Sequence, residues 1–170
     1  HDALPIWEQM DAMDRLGISY DLCPGVSSFC GAAAALGMEY TLPGVSQSVV
    51  ITRMAGRTPV PDRESVSCFA AHGATMVVFL SAGLLDGLQR ELLDGGYQPS
   101  TPAAIVYKAT WPEEKTVICR LDQLADTAGR EGISKTALVI VGDSVSQAGY
   151  DRSLLYHPQF TTEFRKGEES

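Results

Sequence analysis

The chain has 170 residues, of which 45% are hydrophobic and 20% charged, a composition typical of one globular domain or of one domain with part of another. Its formal net charge of −8 argues against a nucleic-acid-binding protein, which usually carries a basic surface for phosphate contacts. No apolar run approaches the roughly 20 residues that cross a bilayer, and the first residues lack the features of a secretory signal, so we expect a cytoplasmic protein with neither membrane nor nucleic-acid partners.

The cysteines and histidines do not indicate a metal site or a disulfide framework. None of the four cysteines has CxxC spacing, each lies in an apolar segment, and the three histidines are scattered. We therefore expect buried, reduced thiols and no metal ligands. The cysteines are Cys23, Cys30, Cys68 and Cys119.

The first predicted elements are two helices separated by a short strand. Apolar residues at helical spacing predict a helix over residues 6–16 that ends at Gly17. Residues 18–23 are expected to form a strand, and an alanine-rich helix over 29–36 is expected to end at Gly37.

The middle of the chain predicts two strands and two helices. A strand over residues 48–54 leads into the turn-forming letters AGRTPVPD, where Asp62 is the expected N-cap of a helix. Residues 76–80 form an unbroken apolar run, which suits a strand covered by helices on both faces. An amphipathic helix is expected over 84–93.

The last third predicts a hairpin, a helix and a final strand. The hairpin strands are residues 103–108 and 116–120, the helix covers 121–130, and the last strand, 136–141, ends at Gly142. Helices and strands therefore alternate along the chain, which predicts an α/β layered domain.

Candidate binding residues lie where predicted strands end, the usual place for ligands in open α/β sheets. The first segment, CPGVSSF, offers hydroxyls that would otherwise cap a helix, and the third, VVFLSAG, ends in small residues. In the second, ITRMAGRTPVPD, Arg53 and Arg57 suit carboxylate binding, unless the loop is simply solvated. In the fourth, VYKATWPEE, Trp111 forms either a rigid wall or part of a hairpin core. The chain contains no P-loop, GxSxG, HExxH or GxGxxG motif.

Taken together, these segments resemble the tetrapyrrole methyltransferases, and within them the subgroup that acts on precorrin-4 and cobalt-precorrin-4. The resemblance rests on EQMDAMDRLGISY, PGVSSF, AAAALG, TLPGVSQSVVITRMAGRTPVPDRE, TMVVFLSAG, PAAIVYKATWPEEK and TALVIVG, in that order. The GRTPVP and WPEEK segments are specific to this subgroup.

The resemblance implies S-adenosyl-L-methionine as cofactor, S-adenosyl-L-homocysteine as product, and methylation of the precorrin ring at C11 in cobalamin biosynthesis. Arg53 and Arg57 are the expected substrate-binding residues, with Lys108 a weaker candidate, and either Glu113 or Glu114 is a candidate base. No catalytic nucleophile is expected, because a sulfonium methyl group is already activated. The cofactor contacts implied by the family fall on Ser27, Ser28, Leu80, Ala109, Thr136, Ala137 and Leu138.

The resemblance also implies the domain organisation. We expect residues 1–43 to be the end of an N-terminal α/β domain and residues 44–170 to be a complete C-terminal α/β domain. The glycine-rich loop of the family is absent from this sequence. The family also has a G-D-x-x-x-Y-G-type motif just ahead of the first helix, which HDALPI matches poorly, with Asp2 as a remnant. An incomplete first domain would expose apolar surface, and family members are generally homodimers.

Other functions remain open from the sequence. The alternatives are a methyltransferase of the same fold that acts on another tetrapyrrole, on ribosomal RNA or on diphthine, and a non-catalytic fragment that binds the cofactor weakly. A flavodoxin-like domain would require a phosphate loop, which the sequence lacks.

Overall fold

The computed structural model describes residues 6–79, 83–153 and 157–166, in which helices alternate with strands. The α-helices are α1 (Ile6–Arg15), α2 (Ser28–Leu36), α3 (Val66–Ala70), α4 (Leu85–Asp94) and α5 (Leu124–Arg130). The strands are β1 (Val49–Arg53), β2 (Thr75–Phe79), β3 (Pro102–Tyr107), β4 (Lys115–Arg120) and β5 (Ala137–Val141).

The five strands form one mixed sheet in the order β1–β2–β5–β3–β4. β1 and β2 are parallel, whereas β5 is antiparallel to both β2 and β3, and β4 is antiparallel to β3. The carboxyl ends of β1, β2 and β3 therefore lie at the same edge of the sheet as the amino ends of β4 and β5. We call this the upper edge.

Helices cover both faces of the sheet, as the unbroken apolar run of β2 predicted. Met76 and Val78 face a core formed with α3, α4 and α5, whereas Val77 faces a second core on the α2 side. These three side chains have no exposed surface, because alternate residues of a strand point to opposite faces and both faces are covered. The expected α/β architecture is confirmed.

A buried polar cluster joins the segment after α2 to the opposite, lower edge of the sheet, where β2 begins. The Thr75 hydroxyl lies 2.7 Å from the carbonyl oxygen of Tyr40, to which it donates, and 2.7 Å from the hydroxyl of Ser144. The backbone N–H of Thr75 donates to the Ser46 hydroxyl at 3.1 Å. These bonds hold α2 and its connecting loop against the sheet that follows it in the chain.

The predicted strand over residues 18–23 is wrong. The structure assigns no strand to this segment, and Ile18 and Leu22 are exposed by 52% and 61%. A strand requires a hydrogen-bonded neighbour, and no described strand lies beside these residues. No residue of α1 is buried either, and the apolar side chains of Ile6 and Leu16 are largely exposed.

The predicted N-cap at Asp62 is also wrong. Asp62 begins a short 3₁₀ helix, Asp62–Glu64, and the cap of α3 is Ser65, whose hydroxyl accepts a hydrogen bond from the backbone N–H of Cys68. Both residue types cap helices well, and the 3₁₀ turn moves the start of α3 three residues along.

The four cysteines are unpaired, but the expectation of burial is wrong for Cys23, Cys30 and Cys68, which are exposed. On α3, Val66 and Ala70 face the core one turn apart, so Cys68, midway between them, points to solvent. Within the described residues, no helix has the length and apolar character needed to span a bilayer.

Candidate functional site

A cavity of about 340 Å³ opens at the upper edge of the sheet. It lies where β3 ends and β5 begins, between these strands, α2 and the turn that follows β3. Its lining collects five of the seven residues that the sequence assigned to cofactor binding. The described residues that line it are Ser28, Phe79, Gly83, Val106, Lys108, Ala109, Trp111, Ser134, Lys135, Thr136, Ala137 and Leu138.

The register between β3 and β5 explains why residues distant in sequence meet here. Val106 pairs with Leu138 and Tyr107 with Ala137, and beyond the strands the Lys108 N–H donates to the Thr136 carbonyl at 2.9 Å. The segments that the sequence singled out separately thus form one continuous wall.

The start of α2 contributes Ser28 to the cavity. Ser27 occupies the N-cap position of this helix, yet its side chain makes no capping hydrogen bond. The capping alternative for this hydroxyl is therefore not realised. Ser27 itself is not among the lining residues, and Leu80 lies outside the described residues.

The turn after β3 forms the outer wall. The Lys108 ammonium lies 5.3 Å from the ring centre of Tyr107 and 5.2 Å from that of Trp111, and 3.6 Å from a carboxylate oxygen of Glu113. The Thr110 N–H donates to the Glu114 carboxylate at 2.5 Å. Trp111 is 55% exposed and lines the cavity, so it forms a wall rather than a hairpin core.

Backbone strain is concentrated at this cavity. Lys108, Thr110 and Thr136 have φ values of 47°, 71° and 56°, in the left-handed region that disfavours side chains branched at Cβ. The only other described non-glycine residue with positive φ is Gln147. Strain of this kind costs about 1–3 kcal/mol per residue and clusters at functional sites, which supports a functional role for the cavity.

A second groove, of about 390 Å³, lies beside the first at the end of β1 and shares Phe79 with it. Arg53 lines this groove, but its guanidinium also donates to the carbonyls of Met54, Thr58 and Pro59 at 3.0, 3.3 and 2.9 Å. Arg53 therefore shapes the proline-containing loop as well as facing the groove.

Arg57 lies on the exposed part of the same loop, where it makes no hydrogen bond or ion pair with any described residue. It lines neither the cavity nor the groove. The structure thus separates the two arginines that the sequence paired.

Several lining residues were missed from the sequence. Ser134 and Lys135 precede β5, and they join the site because β5 runs antiparallel to β3. Phe79 lies in the VVFLSAG segment that the sequence singled out, but it was not itself named as a contact, because it belongs to a strand that reads as pure core. All three residues lie at or next to a strand terminus. This position could have indicated the site only if the directions of the strands in the sheet had been known.

The cavity carries a local charge opposite to that of the whole chain. Its only charged lining residues in the described part of the chain are Lys108 and Lys135, whereas the net charge of the chain is −8. Across residues 6–79, 83–153 and 157–166, no group of three or more His, Cys, Asp or Glu is placed to hold a metal ion. The arrangement suits a mainly apolar ligand with an anionic group.

A cavity at the strand termini of a mixed α/β sheet, with an apolar wall and a few polar groups, defines the class as small-molecule-binding α/β proteins. A profile of the tetrapyrrole (corrin/porphyrin) methylases matches residues 5–125. The chain belongs to this family.

Similar proteins agree with this assignment. The chain is 44% identical over 164 residues to the cobalt-precorrin-4 C(11)-methyltransferase of Methanocaldococcus jannaschii, covering 96% of the chain and 63% of that protein. The crystal structure of a cobalt precorrin-4 methyltransferase superimposes with a TM-score of 0.80 at 40% identity, covering 82% of this chain and 59% of the other.

The likeness extends to a cofactor complex. The uroporphyrin-III C-methyltransferase of Thermus thermophilus, solved with S-adenosylhomocysteine, matches with a TM-score of 0.68 at 26% identity, covering 84% of this chain and 61% of the other. The chain thus spans less than two thirds of the length of these relatives.

Proposed function

We propose that this chain carries out, or forms the larger part of an enzyme that carries out, S-adenosylmethionine-dependent methylation of precorrin-4 or cobalt-precorrin-4 at C11. The observation that carries the proposal is the cavity itself. It gathers Ser28, Ala109 and the Thr136–Leu138 segment into one wall, from positions that the family resemblance had assigned independently to cofactor binding.

The cavity suits the cofactor in its chemical character. Ala109, Ala137 and Leu138 have small or apolar side chains and offer a mainly apolar surface for the flat adenine ring. Polar atoms lie around this surface, namely the hydroxyls of Ser28 and Thr136 and the backbone at the strand termini. All seven assigned contacts stay predictions, including Ser27 and Leu80, which are not among the described lining residues.

The chain contributes positioning and exclusion of water. When bound, S-adenosylmethionine supplies an activated methyl group, so no protein nucleophile is needed. The residues of the upper edge hold the methyl donor and the accepting ring carbon in line and exclude solvent from both. Such alignment lowers the activation barrier of the transfer by about 7–11 kcal/mol. Trp111 shields the outer side of the cavity.

The groove beside the cavity is the proposed substrate side. Arg53 lines this groove, which shares Phe79 with the cavity, and this supports a role for Arg53 in binding acidic side groups of a ring at the cavity mouth. Arg57 would bind such groups from the exposed loop. Of the two candidate bases, Glu113 faces Lys108 and Glu114 holds the Thr110 N–H. Their role as bases remains a prediction.

The proposal includes the domain division and the cellular setting. Residues 1–43 belong to an N-terminal α/β domain and residues 44–170 to a C-terminal one, although α2 packs on the sheet of the latter. The enzyme is cytoplasmic and homodimeric and does not bind nucleic acid, in keeping with its acidic charge.

The proposal is tested first by calorimetric titration of the chain with S-adenosylhomocysteine. We expect dissociation constants in the micromolar range, and, with precorrin-4 and methyl-labelled cofactor, a product heavier by one methyl group in mass spectrometry. Binding without methyl transfer would identify a cofactor-binding fragment. Failure of a folded chain to bind S-adenosylhomocysteine would contradict the proposal.

A further inference from the structure

The Lys108 ammonium is a cation without a hydrogen-bond acceptor among the described residues. Its side chain is only 21% exposed, and the nearest carboxylate oxygen, on Glu113, lies at 3.6 Å, too far for a normal hydrogen bond. The ammonium has three N–H groups to donate, and no acceptor of the described residues lies within hydrogen-bond distance of it. The ammonium therefore has unused binding capacity at the cavity wall.

The rings of Tyr107 and Trp111 hold the Lys108 ammonium in position. Both rings lie within 5.3 Å of the ammonium and attract it through their negative faces. Because Trp111 lines the same cavity, the ammonium is held at its rim rather than extended into solvent. Aromatic faces supply no strong hydrogen-bond acceptor, so an anion can still bind the N–H groups.

Glu113 is a weak internal counter-ion for this lysine. Its side chain is 61% exposed, and it lies on the same turn as Lys108 and Trp111. An ion pair at this distance with one largely exposed partner contributes little to stability, so a better-placed ligand carboxylate can replace Glu113 at low cost.

We propose that Lys108 binds a ligand carboxylate in the cavity and that Glu113 is the internal carboxylate which that ligand displaces. The inference rests on the proposed function, which offers two sources of the carboxylate. One is the amino-acid tail of the cofactor, and the other is the acetate and propionate groups of the tetrapyrrole. In both cases Lys108 selects an anionic ligand in an otherwise acidic protein.

The test compares the affinities of three probes by titration calorimetry. S-adenosylhomocysteine carries the amino-acid carboxylate, 5′-methylthioadenosine has the same nucleoside thioether without it, and uroporphyrin III carries only ring carboxylates. The variants are Lys108→Met and Lys108→Arg. The matched control is Lys115→Met, which removes a lysine that pairs with Glu131 outside the cavity. Methionine is unbranched at Cβ and suits the left-handed backbone as well as lysine does.

We expect Lys108→Met to lower the affinity for one of the two carboxylate probes by about tenfold, the usual effect of losing a charged hydrogen bond. The affinity for 5′-methylthioadenosine should not change. The probe that responds identifies the source of the carboxylate. The affinity of Lys108→Arg for the same probe should stay within about threefold of the wild-type affinity. The affinity of Lys115→Met should equal that of the wild type.

A second variant tests displacement. Glu113→Gln removes the competing carboxylate and should raise the affinity for the probe that responds to Lys108→Met by about threefold. Circular dichroism and thermal unfolding confirm that each variant is folded.

Two results would overturn the inference in different ways. If 5′-methylthioadenosine binds while both carboxylate probes bind Lys108→Met within twofold of the wild type, the role of Lys108 is wrong and the proposed function stands. If the folded wild-type chain binds none of the three probes, the proposed function and this inference fall together.

Discussion

Tyr97 shows at the residue scale how a buried polar group ties stability to pH. Its side chain is 8% exposed, and its hydroxyl donates to the carbonyl of Ala74, directly before β2. Burial, with a smaller contribution from the charge of Asp143, raises the pKa of Tyr97 to about 12. Burial likewise raises the pKa of Tyr40 to about 12.

We predict that the chain loses stability between pH 10 and 12. The pKa of Tyr97 is higher in the folded state, at about 12, than its ordinary value of 10.0, so its contribution is complete below pH 10 and lost as the pH rises through 12. The loss is about 2 kcal/mol for one such tyrosine. Urea unfolding at pH 8, 10 and 12 measures it.

Tyr97→Phe separates this effect from general alkaline denaturation. At pH 8 the variant should be less stable by about 1 kcal/mol, because the Ala74 carbonyl loses its donor. Between pH 10 and 12 it should lose less stability than the wild type, whereas Tyr150→Phe, at an exposed position, should lose as much. Equal alkaline losses in all three proteins would show that Tyr97 is not responsible.

At the scale of elements, the contact between α3 and α4 depends on one glycine. Gly95 ends α4, and a Cβ added there would lie 2.5 Å from the Ser67 carbonyl oxygen and 2.5 Å from the Cβ of Ala70. Neither neighbour can move away as a flexible side chain would. The two helices can approach this closely only because position 95 has no side chain.

We predict that Gly95→Ala lowers the free energy of unfolding by about 3 kcal/mol, since overpacking forces α3 and α4 apart. The matched control is Gly129→Ala in α5, where nothing lies within 4 Å of the added Cβ. This control should be neutral or stabilised by up to about 1 kcal/mol. Thermal and urea unfolding of both variants measure the difference, and equal stabilities would refute the packing argument.

Elements with a complete set of neighbours could be predicted from the sequence. The periodicity that predicted α4 reports a buried stripe, and the apolar run of β2 reports burial on both faces. Residues 18–23 have the composition of a strand, but composition cannot supply a hydrogen-bonded partner. The cap at Ser65 was missed because Asp62 has equal local propensity, and only packing decides between them.

The site was predicted in part for a similar reason. Ala109 and Thr136 were assigned through the family resemblance, and strand pairing brings them to one cavity. Lys135 was missed because its place depends on the direction of β5, which no local pattern encodes. Arg53 and Arg57 are close in sequence, but the hydrogen bonds of Arg53 to the loop carbonyls separate their surroundings.

At the scale of the whole molecule, the sheet depends on its last strand. β5 lies between β2 and β3, so without it the β1–β2 pair and the β3–β4 hairpin share no strand pairing. Val139 and Ile140, fully buried on opposite faces, also join the two cores.

We predict that a chain ending at Lys135 does not fold, because it lacks the central strand and the hydrophobic burial that β5 provides on both faces. A chain ending at Ser153, which keeps β5 and the bond from the Asp151 N–H to the Pro43 carbonyl, should unfold cooperatively. Circular dichroism during thermal unfolding distinguishes the two. A cooperative transition in the shorter chain would show that the two strand pairs are stable apart.

The central position of β5 also has a consequence during synthesis on the ribosome. Strands β1 to β4 are complete once Arg120 has been added, but β5 ends 21 residues later, at Val141. At about 5–20 residues per second, the nascent chain spends about 1–4 s with the apolar edges of β2 and β3 open. Through that interval the emerging chain is a natural client for chaperones that bind extended apolar segments, and codons that slow translation between these two points would lengthen its exposure.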